Sequence, residues 1–426
     1  MRILASALSK NRFISGVSKL VGASVLGQLF GLLAMPLLTR LYQPEDFGAF
    51  GVFASLMAVL LVISSFRYEL AIPLPKSENS AMGLLFLSLI LNILSAVVVT
   101  FLVLLYGENV NSFNNNPVVG DLLWLLPVSV LAGGTYKSLN YWVLRKKEYG
   151  TISSTKLVQS VSNILAQVIT GFLGVGAVGL AVGQIIGQSS GTVRFLRGIS
   201  FARVAALGMS KRSLVLLWRY RNFPIYDSPA AFVNTISTQL PNVALAVIFS
   251  PVVAGYYYLA ERILWVPLSM IAQALGQVFF SQLREEIESG SVVTLVIKIM
   301  LVLSVVGAAV SIPVYFFSEL VFSIVFGREW EEAGKYAGIL IFGLVMQFVY
   351  SPLSMIFLAT NNQKTNFIIH FIILLCKVGS FYLAYVWDDP VLAIQLLMIT
   401  LFVGYGFALI LVFRCARDSI VSFKTD

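Results

Sequence analysis

Apolar residues run through the chain in about a dozen blocks separated by short polar segments. The hydrocarbon core of a bilayer is about 30 Å thick and a helix rises about 1.5 Å per residue, so roughly 20 mostly apolar residues cross it. The pattern predicts spans near 17–38, 47–66, 81–106, 122–143, 152–173, 177–196, 222–248, 253–275, 292–314, 335–357, 366–386 and 391–413. The blocks are continuous rather than alternating in ten-residue units, which predicts helices and argues against a barrel. Hydrophobic residues make up 58% of the chain and charged residues 12%, about half the charged fraction of a soluble domain. The expected fold class is an all-α integral membrane protein of about 12 transmembrane helices.

Charge sets the expected orientation. Of the 29 Lys and Arg, 22 fall at the termini or in connections on one side, and Arg40, Arg328 and Lys335 on the other. Lys137, Arg262, Lys298 and Lys377 lie inside spans. Cationic loops stay in the cytoplasm, which predicts a multi-pass protein with both termini cytoplasmic. The formal charge of +9 is then a topology signal, and nucleic acid is not an expected partner. The first block is too long for a signal-peptide core and no small-residue cleavage pattern follows it, so it reads as retained. Cys376 and Cys415 lie in or beside late spans, which predicts neither a structural disulfide nor a metal site.

The longest inner connection, about 197–221, divides two groups of six spans and places domains at 1–205 and 206–426. Its mixture of basic and apolar residues fits a helix lying on the inner membrane face, or a plain basic tether. The two groups resemble each other. Pro44, Gly48 and Phe50 after the first span recur as Pro251, Gly255 and Tyr257 after the seventh, at identical spacing and an offset of 207 residues. A second echo pairs Leu105-Tyr106-Gly107, ending the third span, with Val325-Phe326-Gly327, ending the ninth. Six-helix halves of equal orientation form a parallel repeat, a transporter architecture.

The outer connections are too short to fold a catalytic domain. His370 is the one histidine, and no HExxH, GxSxG, Walker or GxGxxG pattern occurs. Neither an enzyme nor a cofactor is expected. An ionisable group at mid-bilayer costs several kcal/mol unless it meets a wet cavity or a partner, so each is a functional candidate. Lys137 either snorkels to the inner surface or lines a cavity. Arg262 either lines a cavity or forms an inter-helix salt bridge, and Glu261 is adjacent to it. Arg40, near the outer end of the first span, contacts headgroups or guards the mouth. Lys377 is too deep to snorkel, whereas Lys298 reaches the inner surface. His370 reads as a packing residue. Asp227 is expected to pair locally with Arg219 or Arg221, and Arg67 with Glu69; Asp227 and Glu261 are the weak candidates for ion coupling. Pro224, Pro229 and Pro241 predict a hinge or a static bend in the seventh span. Small and polar residues in spans five and six predict close helix packing. Buried cations outnumber buried anions, with none of the anions secure in the first half, which favours a negatively charged substrate such as a phosphate or pyrophosphate.

These residues resemble a family. Gly27-Gln28 through Pro36-Leu-Leu-Thr-Arg40-Leu-Tyr42-Gln-Pro44-Glu-Asp-Phe-Gly48, Arg67-Tyr-Glu-Leu-Ala-Ile-Pro73-Leu-Pro75, Tyr220-Arg-Asn-Phe-Pro224 through Gln239-Leu-Pro241, and Ala254-Gly255-Tyr256 through Gly276-Gln277-Val278-Phe279-Phe280 resemble the O-antigen and capsule flippases of the polysaccharide-exporter superfamily. The resemblance implies two six-helix bundles forming a V, as in the multidrug exporters of the same superfamily, with a cavity opening alternately to each side. It implies translocation of an undecaprenyl-pyrophosphate-linked oligosaccharide across the bacterial inner membrane. It places substrate at Lys137 and Arg262, then at Arg40 and Arg67. A glycan polymerase and chain-length proteins are the protein partners it brings into view. Three readings stand beside it: a peptidoglycan-precursor flippase, a cation-coupled drug or metabolite antiporter, which needs deep acidic residues, and a glycan polymerase, which needs a large outer loop. A scramblase or membrane scaffold is the least specific.

Overall fold

The computed structural model describes the backbone of residues 2–114, 117–196, 211–360 and 362–425, and side chains over 22–107, 120–196, 215–283, 285–360 and 362–419. Twelve long helices are among these residues: α1 Arg2–Leu41, α2 Pro44–Ile63, α3 Glu78–Asn114, α4 Leu126–Arg145, α5 Tyr149–Phe172, α6 Ala177–Leu196, α7 Ser228–Ile248, α8 Pro251–Glu288, α9 Val292–Val325, α10 Glu331–Leu353, α11 Gln363–Trp387 and α12 Pro390–Thr425. Ten described segments are long and apolar enough to cross a membrane by composition alone, and α5 and α6 lie outside those ten. Their polar residues are spent on each other. Gly179, Gly183, Gly187 and Gly191 recur every fourth residue of α6, and a Cβ at the last three would press on Gln167, Asn163 and Gln159 of α5. Small residues let the two backbones approach, which in lipid replaces the hydrophobic drive that water supplies.

The chain falls into two compact units, Met1–Thr235 and Ile236–Asp426. The sequence division at 205/206 falls within the 197–221 connection, whereas the first compact unit runs on into α7. Of the helix expected over 197–221, residues 197–210 lie outside the described residues, and Lys211–Arg219 is helical. That helix docks on the first unit. Leu216 is buried in a cluster with Tyr68, Ile72, Trp142 and Phe195, and the Tyr68 hydroxyl donates to the Leu217 carbonyl at 3.0 Å.

In the first unit α5 packs on α1 and α6, and α3 on α4; in the second, α10 packs on α8, α9 and α12. Leucine, valine and phenylalanine side chains of α3, α9 and α11 point outward, among them Phe101, Leu104, Val305, Phe316 and Leu375, as a lipid-facing surface requires.

The first repeated turn opens a helix with proline in both units, each after an extended N-cap residue. Pro44 and Pro251 each open a helix, where a missing N–H costs nothing. The Asp46 carboxylate accepts the Gln43 N–H at 2.9 Å and the Ala177 N–H at 2.8 Å, capping α2 and α6 together. The Ser250 hydroxyl accepts the Val253 N–H at 3.3 Å and caps α8. The second echo is not structural. Gly107 lies inside α3, whereas α9 stops at Val325 and Gly327 turns with φ 114°. A glycine ends a helix only where the chain takes the left-handed turn that glycine permits.

Candidate functional site

Among the described residues, each unit holds a cluster of charged side chains that includes sequence-predicted site residues. In the first unit it forms where α2 gives way to the short turn Tyr68–Ala71. Phe66 and Arg67 both take positive φ, 47° and 61°, a conformation that costs a side-chain-bearing residue of order 1 kcal/mol or more. The reversal turns Arg67 toward the start of α7, where its Nε meets Asp227 Oδ2 at 2.5 Å. Asp227 itself ends a π-helical turn over Phe223–Asp227 that contains Pro224. The expected pairs are corrected on both sides: Asp227 reaches a partner 160 residues away rather than Arg219 or Arg221, and Glu69 accepts a hydrogen bond from Ser65 instead of pairing with Arg67. Local spacing cannot show which loop a strained turn will face.

Glu69 is buried at 3% exposure, which corrects the expectation that the first half holds no secure anion. Lys137 of α4 is half-buried, and its ammonium donates to the Leu61 carbonyl of α2 at 3.1 Å. Glu69 and Arg67 are the charged groups that act on it. Glu69, Arg67 and Asp227 act on the Tyr141 hydroxyl as well. Lys137, Arg67, Glu69 and Asp227 thus form one charge-balanced set. Arg145, a further basic residue of α4, holds the adjoining loop by donating to the carbonyls of Pro73 at 3.1 Å and Pro75 at 2.6 Å.

The Arg67–Asp227 pair is part-exposed, with side chains at 27% and 46%. Exposed pairs contribute about 0.2–1 kcal/mol. Arg67→Gln or Asp227→Asn should therefore lower stability by no more than about 1 kcal/mol. Reversal of both charges together should return part of that loss in a thermal melt of the purified protein, whereas each reversed charge alone should cost more than its neutral substitution.

The second cluster is carried by α8 and α11. Arg262 donates to the Tyr258 hydroxyl and lies 5.6 Å from the centre of that ring. Lys377 and Arg262 are the cations that act on the neighbouring Glu261. Lys377 is buried at 5% exposure and donates to the Ser237 carbonyl of α7 at 2.7 Å. His370 sits edge-on to Tyr350 and Tyr405, with ring centres 6.0 and 6.3 Å away. Two cations act on one carboxylate, so this set has surplus positive charge. Arg40 joins neither cluster; it is exposed in the last turn of α1. Lys298 is exposed on α9. Among the described residues no group of His, Cys, Asp and Glu is arranged to hold a metal ion.

Lys377 was legible as a deep cation, but its partner was not named from the sequence. The missing signal is Pro241, whose position fixes which carbonyl of α7 lacks a helix donor.

Residues 37–335 match the family model for polysaccharide biosynthesis proteins. The chain belongs to that family. The matched residues include Arg40, Arg67, Lys137, Asp227, Glu261 and Arg262, whereas Lys377 lies beyond them. The capsular polysaccharide biosynthesis protein CapF of Staphylococcus aureus is 23% identical over 372 residues, which cover 83% of this chain and 87% of CapF. Among solved structures, an inward-facing multidrug resistance MATE family transporter of the MOP superfamily matches with a TM-score of 0.70 at 17% identity, covering 94% of this chain and 96% of its own. The lipid II flippase MurJ, in an inward closed conformation, matches with a TM-score of 0.68 at 16% identity, covering 95% and 91%. A MOP superfamily transporter from Pyrococcus furiosus gives 0.63 at 16% identity, covering 96% of each chain. This polysaccharide biosynthesis protein is a multi-pass membrane protein with the fold of these transporters.

Proposed function

We propose that this protein moves an undecaprenyl-pyrophosphate-linked oligosaccharide, an O-antigen or capsule repeat unit, from the cytoplasmic to the outer leaflet of the bacterial inner membrane by alternating access. Its termini are cytoplasmic in this reading, and it transports without chemical conversion. A pyrophosphate-sugar headgroup is too polar to enter hydrocarbon unaided. The observation that carries the proposal is the surplus of positive charge at α8 and α11, where the cations Arg262 and Lys377 both act on the single carboxylate of Glu261. Guanidinium and ammonium groups held at membrane depth lower the barrier for phosphate oxygens. Family membership and the likeness to CapF support a glycan-linked substrate. Lys137 and Arg67 are proposed as secondary contacts for the headgroup, with Arg40 a contact at the mouth.

Loss of the gene is expected to leave the lipid-linked oligosaccharide on the inner leaflet and to empty the cell surface of the polymer. The measurement is the leaflet distribution of the lipid-linked intermediate, read by its accessibility to a membrane-impermeant sugar-modifying reagent in right-side-out and inverted vesicles. Growth arrest with a cell-wall defect would instead favour a peptidoglycan precursor. A second reading, cation-coupled antiport, draws on the buried Glu69 and on Glu261, with Asp227 at its edge. Drug sensitivity on gene loss, with normal surface glycan, would favour it.

A further inference from the structure

Helix α7 carries Pro241 in its interior. Proline has no N–H, so the carbonyl four residues earlier, that of Ser237, loses its helix partner. At membrane depth such a carbonyl cannot turn to bulk water and must find another donor. The Lys377 ammonium, from α11, donates to that same carbonyl at 2.7 Å. Ser237 and Lys377 are buried at 3% and 5% exposure, so the contact is shielded on both sides. The charged and titratable neighbours of this ammonium are Glu261 of α8 and His370 on its own helix. Arg262, next to Glu261 in sequence, acts on the same carboxylate. One buried cation therefore bonds to the backbone break of α7 and acts electrostatically on Glu261 of α8.

We infer that Lys377 is a positioning residue: its ammonium replaces the hydrogen bond that Pro241 removes, holds α7 on its present course, and leaves Ser237 when an anionic headgroup binds at Arg262. Occupancy of the cluster then frees α7 to bend at the proline. The physical reason is the rank of acceptors. An ammonium bonded to a phosphate oxygen has a charged acceptor, which outcompetes a neutral carbonyl. The release step rests on the function proposed for Arg262; the clamp does not.

The clamp is tested on the full-length protein in detergent without ligand. Lys377→Met should lower the melting temperature and Lys377→Arg should not. Pro241→Ala placed in the Lys377→Met background should recover most of the loss, because the restored N–H closes the bond to Ser237. Losses that simply add in the double variant overturn the clamp. If Lys377→Met yields no folded protein, the same comparison is made on folded yield: recovery in the double variant supports the clamp and equal loss overturns it.

Release is tested by hydrogen exchange over residues 236–245 with undecaprenyl pyrophosphate as the probe. Exchange should rise about tenfold in the unsubstituted protein and stay unchanged in Pro241→Ala. Binding of the probe without faster exchange overturns release and leaves the functional reading standing. No binding of the probe overturns that reading and release together, while the melting comparison decides the clamp separately.

Discussion

Arg262→Ala is expected to lower export of surface polysaccharide by roughly 10- to 100-fold while the protein accumulates normally, the effect of losing a hydrogen bond to a charged group worth about 1.5–3 kcal/mol. The argument starts from the side chain's environment. Arg262 is half-buried on α8, steadied by the hydroxyl and ring face of Tyr258, and set beside Glu261. Its guanidinium presents a planar fork that matches two phosphate oxygens at once, which an ammonium cannot do. Arg262→Lys should therefore recover only part of the export, since charge remains and the fork is lost. Tyr258→Phe keeps the ring and removes the hydroxyl, so it should fall between the unsubstituted protein and Arg262→Ala. The measurement is surface glycan per cell, normalised to the amount of protein in the membrane. Normal export by a normally expressed Arg262→Ala protein would remove Arg262 from the substrate path.

The spans were legible because a bilayer imposes a length and an apolar content that a sequence displays directly. The turn at Pro44 and Pro251 was legible for a related reason: proline at the first helical position has a local physical meaning that needs no tertiary information. What failed to show was set by long-range packing. Arg67 and Glu69 are two residues apart and of opposite charge, yet consecutive positive φ values at Phe66 and Arg67 send them to different partners. Glu69 looked like a loop residue because the turn that buries it is short and follows directly on the second apolar block. Gly107 and Gly327 share a sequence context and not a backbone conformation, so the second echo could not survive folding. Spans five and six were legible as a close-packed pair, but not which residues met. The four-residue spacing from Gly179 to Gly191 says that one face is smooth, and only the structure names Gln159, Asn163 and Gln167 as what lies on it. Lys377 is the intermediate case. Its depth was visible, and Pro241 marks a carbonyl in need of a donor, but only the fold brings the two to 2.7 Å.

The largest effect on stability is expected at Gly334, in the first turn of α10. A Cβ there would lie 2.7 Å from the Cα of Glu319, 2.7 Å from the Ser318 carbonyl oxygen and 2.9 Å from the Glu319 nitrogen. All three are backbone atoms of α9, which cannot rotate out of the way as a side chain can. Gly338, one turn later, lies against the same stretch, with the Ser318 hydroxyl 3.0 Å from its Cβ position. The two glycines form a notch in which α9 rests. Overpacking a fitted interface costs about 1–3 kcal/mol. Gly334→Ala should sit at the top of that range and Gly334→Leu should prevent stable accumulation. Gly183 is the graded control. Its Cβ position lies 2.4 Å from the Gln167 side chain but 3.1 Å from the nearest backbone atoms, so Gly183→Ala should cost less as Gln167 shifts. Gly379 is the opposite control, with nothing within 4 Å of its Cβ position. Alanine there should be neutral or stabilising by about 0.5–1 kcal/mol, since glycine in a helix is the less favourable residue. Melting of the three purified alanine variants should rank Gly334 lowest, Gly183 next and Gly379 at or above the unsubstituted protein. A Gly334→Ala protein as stable as Gly379→Ala would mean that α9 and α10 do not approach closely in the membrane.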